Sequence, residues 1–265
     1  MSDPGADPAG PGGTADTGRS VVVNADRQPL LSVRHLVKRF GPVLAVNDVS
    51  LDVQEREVLG VIGDNGAGKS TFLALLTGFH RPDRGTFYYR GRPVVISSPR
   101  SARNRLGIEM VYQNLELAPD LTVAENLFLG QEPRLMGVLV SRRRMARRAA
   151  EALRQLDAQV SPKSPVGGLS GGEKQAVAIG RALLFERDVV ILDEPTAAIS
   201  ARKVDEVLQL IRRLKSLGKT VIFVSHRLDD ILTVSDRLVV FFQGTIRTVL
   251  QNEGQQVSDL LREMF

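Results

Sequence analysis

Apolar residues in this chain fall into short runs of two kinds. Between Leu30 and Val53 they come as Leu31, Val33, Leu36 and Val37 and then, after Gly41-Pro42, as Val46, Val49, Leu51 and Val53. Short runs divided by a Gly-Pro turn predict paired β-strands. Val58-Leu59-Gly60-Val61-Ile62 is a continuous run that enters a glycine-rich turn, and Lys69 to about Leu76 behind it predicts a helix. Residues 86–95 predict a further hairpin around Gly91. From about 114 to 170 the pattern turns helical. Met145, Ala149, Leu153 and Leu156, spaced by four, four and three, put one apolar stripe on a helix that Ser141 is placed to cap. Past Gly172 a helix runs through Phe185. Val189–Leu192 and Val221–Val224 are apolar throughout, as strands buried on both faces of a parallel sheet are, and Ala201 to Leu217 predicts the crossover helix between them. This is an α/β chain with a helical insertion and no internal repeat.

Composition narrows the class. The chain has 265 residues, 43% hydrophobic and 25% charged, with no Cys. That length suits one large domain or two small ones and buries about three-quarters of the unfolded surface. No run approaches the ~18 apolar residues of a membrane span. Zero cysteines exclude disulfides, Cys-ligated zinc and iron–sulfur clusters. The N-terminus shows no basic region followed by an apolar run, so no secretory signal is expected and a cytosolic site is. Residues 1–29, with four Pro and five Gly, are expected to form a disordered tail. A net charge of +5 is too small over this length to imply nucleic acid.

The chemistry concentrates at Gly63-Asp64-Asn65-Gly66-Ala67-Gly68-Lys69-Ser70, which matches G-x-x-x-x-G-K-S between a predicted strand and helix. Glycines let successive backbone N–H groups turn inward around phosphate oxygens, and the helix N-terminus adds partial positive charge. Lys69 reaches the terminal phosphates, and the Ser70 hydroxyl can hold Mg²⁺. Asp193-Glu194 ends a buried strand, where α/β sheets place ligands. There Asp193 would bind Mg²⁺ through water and Glu194 would polarise an attacking water, unless the pair merely caps a helix begun at Pro195-Thr196. Leu169-Ser170-Gly171-Gly172-Glu173 is either a second anion-binding helix start or a linker. Gln113 and His226, each after a strand, are structural when taken singly.

Taken in order, these motifs resemble the nucleotide-binding subunit of ATP-binding cassette (ABC) transporters over about residues 30–250: phosphate loop, Q-loop glutamine, LSGG signature, Asp-Glu strand end and switch histidine. The resemblance implies a P-loop NTPase (RecA-like) core with an N-terminal antiparallel β subdomain and an inserted α-helical subdomain. Residues 30–265 would be the ATPase domain: 30–113 the β subdomain and phosphate loop, 114–170 the helical signature subdomain, 171–265 the rest of the core. It implies catalytic roles for Glu194, His226 and Gln113, with Mg²⁺ at Ser70, Gln113 and Asp193. ATP would be held by the phosphate loop through Thr71, by Phe40 stacked on adenine, and by Ser170, Gly171 and Gly172 reaching the nucleotide of the opposite subunit. Phe40 is otherwise a β-hairpin core residue. A head-to-tail dimer, a membrane permease and, indirectly, a substrate-binding protein are the implied partners. The implied place is the cytoplasmic face of the inner membrane.

The run Pro119-Asp120-Leu121-Thr122-Val123-Ala124-Glu125-Asn126-Leu127-Phe128-Leu129-Gly130, with Gly137-Val138-Leu139-Val140 and the basic helix after it, is similar to that of ribose- and fructose-type monosaccharide importers. Two departures stand out. Glu173 replaces the usual Gln, which favours the helix dipole but opposes an incoming anion. Ser200 replaces the Asp that normally crosses the dimer interface. Arg142, Arg143, Arg144, Arg147 and Arg148 are expected to be the solvated face of their helix, and no nucleic-acid partner is expected. The alternatives are a cassette ATPase acting on nucleic acid or translation, and a weakly hydrolysing regulatory subunit.

Overall fold

A computed structural model describes residues 28–135, 139–197 and 201–264. The expected tail, apart from Gln28 and Pro29, lies outside the described residues, as do Gly137, Val138 and Ser200. In chain order the strands are β1 (Leu31–Phe40), β2 (Val43–Val53), β3 (Val58–Gly63), β4 (Arg84–Tyr89), β5 (Arg92–Val94), β6 (Ile108–Val111), β7 (Arg134–Leu135), β8 (Leu139–Val140), β9 (Val189–Asp193), β10 (Thr220–Val224), β11 (Arg237–Phe242) and β12 (Thr245–Gln251). The helices are α1 (Lys69–Leu76), α2 (Pro99–Leu106), α3 (Val123–Phe128), α4 (Arg142–Gln155), α5 (Gly171–Leu184), α6 (Ala201–Ser216), α7 (Leu228–Val234) and α8 (Val257–Met264).

Two main sheets organise the chain. The hairpin across Gly41-Pro42 joins β1 to β2, and β4 and β5 extend it to an antiparallel sheet of order β2-β1-β4-β5. The larger sheet runs β12-β11-β3-β10-β9-β6, parallel except for β12. Its central strands are apolar on both faces because both faces are covered. Alternate residues enter opposite cores. Val58 and Ile62 of β3, Val190 and Leu192 of β9, and Val221 and Phe223 of β10 pack with α4, α5 and α6. Leu59 and Val61, Val189 and Ile191, and Ile222 and Val224 pack with α1 and the antiparallel sheet.

The insertion is less helical than its pattern suggests. Among the described residues between 114 and 170 lie two α-helices, the short β7–β8 pair and a single turn of 3-10 helix. Thr122 caps α3 through a reciprocal box with Glu125. Ser141 does precede α4, but its side chain makes no capping bond. The expected stripe is buried at Met145, Ala149 and Leu153. The helix after the signature belongs with this layer: a Cβ added at Gly180 of α5 would stand 3.1 Å from Leu127 and 3.5 Å from Leu153.

Candidate functional site

β3 delivers Gly63 to the carboxyl end of the parallel sheet, and α1 starts at Lys69. The loop between them needs left-handed backbone, with φ of 81° at Gly66 and 102° at Gly68. It is also packed from behind, since a Cβ at Gly68 would collide with the Ala45 carbonyl. The Gly244 amide donates to the Ala67 carbonyl at 2.9 Å, so β2 and the β11–β12 turn brace the loop. Lys69 turns back over it, its Nζ donating to the carbonyls of Gly63 (2.6 Å) and Asp64 (2.9 Å). Burial lowers its pKa, opposed by the charges of Glu194, Asp64 and Asp193.

A cavity of about 500 Å³ opens over this loop and brings together residues far apart in sequence. Asn65, Gly66, Gly68, Lys69, Ser70 and Thr71 line one side. Gln113, two residues beyond β6, and Asp193, Glu194 and His226, from the ends of β9 and β10, line the other. The parallel register causes this convergence, because Leu192 stands opposite both Val111 and Phe223 and all three strands end at one level. Burial raises the Asp193 pKa, the Glu194 charge adds to that, and Lys69 opposes it.

Glu194 has left-handed backbone, φ 51°, and its amide donates to the Val224 carbonyl at 2.9 Å. Its Oε2 lies 2.6 Å from His226 Nδ1 and accepts from the His226 amide at 3.3 Å. The cap reading of Asp193-Glu194 does not hold: the Ala197 amide closes a turn on the Glu194 carbonyl, and the next helix begins at Ala201.

Not every predicted residue meets at this cavity. Gly63, Asp64 and Ala67 build the loop without lining the space. Phe40 is 42% exposed, so its reading as a core residue fails; its ring stands edge-on to His80 at 5.1 Å. Ser170, Gly171 and Gly172 form a helix start, not a linker, and lie off the cavity. Ser170 accepts from the Glu173 amide (3.4 Å) while Glu173 Oε2 accepts from the Ser170 amide (2.8 Å), which lowers the Glu173 pKa. Arg142, Arg143, Arg144 and Arg147 are exposed, the expected solvated face, but Arg148 is not part of it: it is half-buried, donates to the Leu184 carbonyl at 2.9 Å and covers the Phe128 ring. Val43, Leu44, Ala45, Gln243 and Gly244 also line the cavity and were not singled out in the sequence. The Gly-Pro turn before Val43 was the one signal that pointed near them.

The donor set suits a nucleoside triphosphate with Mg²⁺. A hydroxyl (Ser70), an amide (Gln113) and a carboxylate (Asp193) share one cavity with a buried lysine, and Mg²⁺ takes hard oxygen ligands from one or two carboxylates plus phosphates.

Comparison with known proteins agrees with this geometry. The ABC transporter family model matches residues 46–197. The chain is 43% identical over 83% of its length to the ribose import ATP-binding protein RbsA 1 of Rubrobacter xylanophilus, covering 44% of that protein. It is 41% identical to the arabinose import ATP-binding protein AraG of Azospirillum brasilense over 88% of this chain and 44% of that one. The chain thus spans about half the length of these curated relatives. The xylose/arabinose import ATP-binding protein XylG of Sulfolobus acidocaldarius is 37% identical over 89% of this chain and 93% of its own. The ADP conformation of MJ1267, an ATP-binding cassette of an ABC transporter, superposes with a TM-score of 0.73 at 28% identity, covering 84% of this chain and 91% of that one. Motif order, sheet topology and these matches together establish that the chain belongs to the ABC transporter family.

Proposed function

We propose that the chain is the ATP-hydrolysing subunit of a monosaccharide importer. The observation that carries this is the convergence of Lys69, Ser70, Gln113, Asp193, Glu194 and His226 on one cavity. Backbone N–H groups of the phosphate loop and Lys69 bind and orient the β- and γ-phosphates. Ser70, Asp193 and Gln113 would hold Mg²⁺, which, when bound, neutralises charge on the phosphate oxygens. Glu194 orients and polarises the attacking water and accepts its proton, while His226, paired to Glu194, contacts the γ-phosphate. Phe40 supplies an exposed ring for the adenine.

The cavity holds no signature residue, which supports assembly with a second subunit whose Ser170, Gly171 and Gly172 close over the nucleotide. Among the described residues no helix is long and apolar enough to cross a membrane, so translocation would fall to permease chains on whose cytoplasmic side this subunit docks. A simple sugar as cargo rests on the ribose, arabinose and xylose relatives. The test is Mg²⁺-dependent ATP hydrolysis by the chain with its permease and binding protein. Turnover should rise when the binding protein carries a monosaccharide; stimulation by DNA or RNA instead would replace this reading with a nucleic-acid ATPase.

A further inference from the structure

Arg187 sits in the connection from α5 to β9 and is 8% exposed. It belongs to none of the nucleotide motifs, yet it joins four parts of the fold. Its Nη1 donates to the Arg103 carbonyl in α2 at 2.6 Å. Its Nε lies 3.5 Å from Glu109 Oε2 in β6, and the other oxygen of Glu109 lies 3.1 Å from Arg103 Nε. Its Nη2 reaches Gln131, just beyond α3, at 3.4 Å. The guanidinium also covers the Phe185 ring at 5.4 Å, and that ring meets Phe128 of α3 edge-on at 5.9 Å. The Arg187 amide donates to the Ala182 carbonyl, so the last turn of α5 is tied to the same joint.

Burying Glu109 beside two guanidiniums carries a desolvation cost that well-packed apolar side chains would avoid, so stability alone does not explain the cluster. Its position does. Glu109 pairs with Val190 across β6 and β9, the neighbouring strands that lead to Gln113 and to Asp193-Glu194. Gln113 follows Glu109 by four residues, about 13 Å along an extended chain. Arg187 thus links the ends of α5 and α3 to the foot of β6.

We propose that Arg187 is a positioning residue for hydrolysis. It holds the ends of α5 and α3 to the foot of β6 and so fixes where Gln113 stands relative to Glu194. This rests on the reading of Gln113 and Glu194 given above.

The test is a mutant cycle on the full chain, reading kcat and KM for Mg-ATP together with the thermal unfolding midpoint. Arg187→Lys keeps the charge but loses the planar fork. Gln131→Ala removes only the partner beyond α3. The expectation is a kcat lowered about tenfold by the first and about threefold by the second, with KM within about twofold; the unfolding midpoint should fall by a few degrees for Arg187→Lys, which gives up buried hydrogen bonds, and stay nearly unchanged for Gln131→Ala. Neither change should lower kcat further in a Gln113→Ala background. Losses that multiply in that background, or an unchanged kcat in both single variants, would overturn the inference while leaving the cavity assignment standing. Should Arg187→Lys not fold, the Gln131→Ala and Gln113→Ala pair decides alone. A Gln113→Ala chain that turns over at the wild-type rate would instead remove the role of Gln113 in hydrolysis, and the inference with it.

Discussion

His226 Nδ1 stands 2.6 Å from Glu194 Oε2, joining the ends of two adjacent parallel strands across the mouth of the nucleotide cavity. The pair exists because Glu194 leaves β9 with left-handed backbone and sends its amide to the Val224 carbonyl, which fixes the carboxylate beside the residue two positions beyond β10. The histidine ring is 62% exposed against 18% for the carboxylate, so His226 shields Glu194 from one side while remaining free to move towards a phosphate.

Replacement of Lys69 by Ala should weaken ATP binding about 10- to 100-fold, the range expected for hydrogen bonds to a charged group. The Nζ now donates to the carbonyls of buried Gly63 and exposed Asp64, two bonds that close the loop on itself and join no other element, so the fold should persist. Equilibrium binding of a fluorescent ATP analogue, with circular dichroism as the control for folding, checks this; wild-type affinity would contradict the phosphate-loop assignment.

Glu173 closes the reciprocal cap of α5, and the hydrogen bonds with Ser170 hold its pKa below the ordinary value. A depressed carboxylate contributes stability that is present above its unfolded pKa of 4.5 and is lost as pH falls through the lower folded value. Glu173→Ala should cost about 0.3–1.5 kcal/mol in urea unfolding at pH 7. Glu173→Gln retains the cap geometry, removes the acid-side loss and, on the proposed dimer, would take away a negative charge that opposes the partner's phosphate. It should therefore strengthen ATP-driven dimerisation, measured by sedimentation, and weaker dimerisation would contradict this.

Glu57 is a buried carboxylate at the foot of β3 whose pKa is raised to about 7, first by burial, although Arg237 lies 3.2 Å away and opposes the shift. Because the folded value exceeds the unfolded one, the native state binds more protons between pH 4.5 and about 7. Stability is then fully present below pH 4.5 and is lost as pH rises through 7, by up to about 3 kcal/mol. Glu57→Gln should flatten this slope. Urea midpoints at pH 5 and pH 8 for both chains decide it: an equal fall in the two would assign the slope elsewhere.

The central strands and the phosphate loop were legible because their signals are local. Val58–Gly63, Lys69–Leu76, Val189–Asp193 and Thr220–Val224 coincide with continuous apolar runs or a fixed motif. α2 escaped notice because it has only two buried residues, Ala102 and Leu106, and no stripe for periodicity to find. β12 was equally silent, since its residues are half-buried without alternation. At the site, the polar residues were found from their order in the chain. Ala45, Gln243 and Gly244 were missed because they enter the cavity through the packing of the β11–β12 turn against β2, a contact between residues some 200 positions apart. Arg187 was missed because its partners, Arg103, Glu109 and Gln131, share no local pattern.

The central claim, that Glu194 supports attack of water on ATP at this cavity, is tested most directly by following Glu194→Gln in sedimentation and single-turnover hydrolysis with Mg-ATP. The substitution keeps the shape of the side chain and removes its ability to take a proton. ATP should remain bound and uncleaved and should accumulate the head-to-tail dimer. A variant that stays monomeric with ATP bound and cleaves it at the wild-type rate would show that Glu194 is not the catalytic carboxylate.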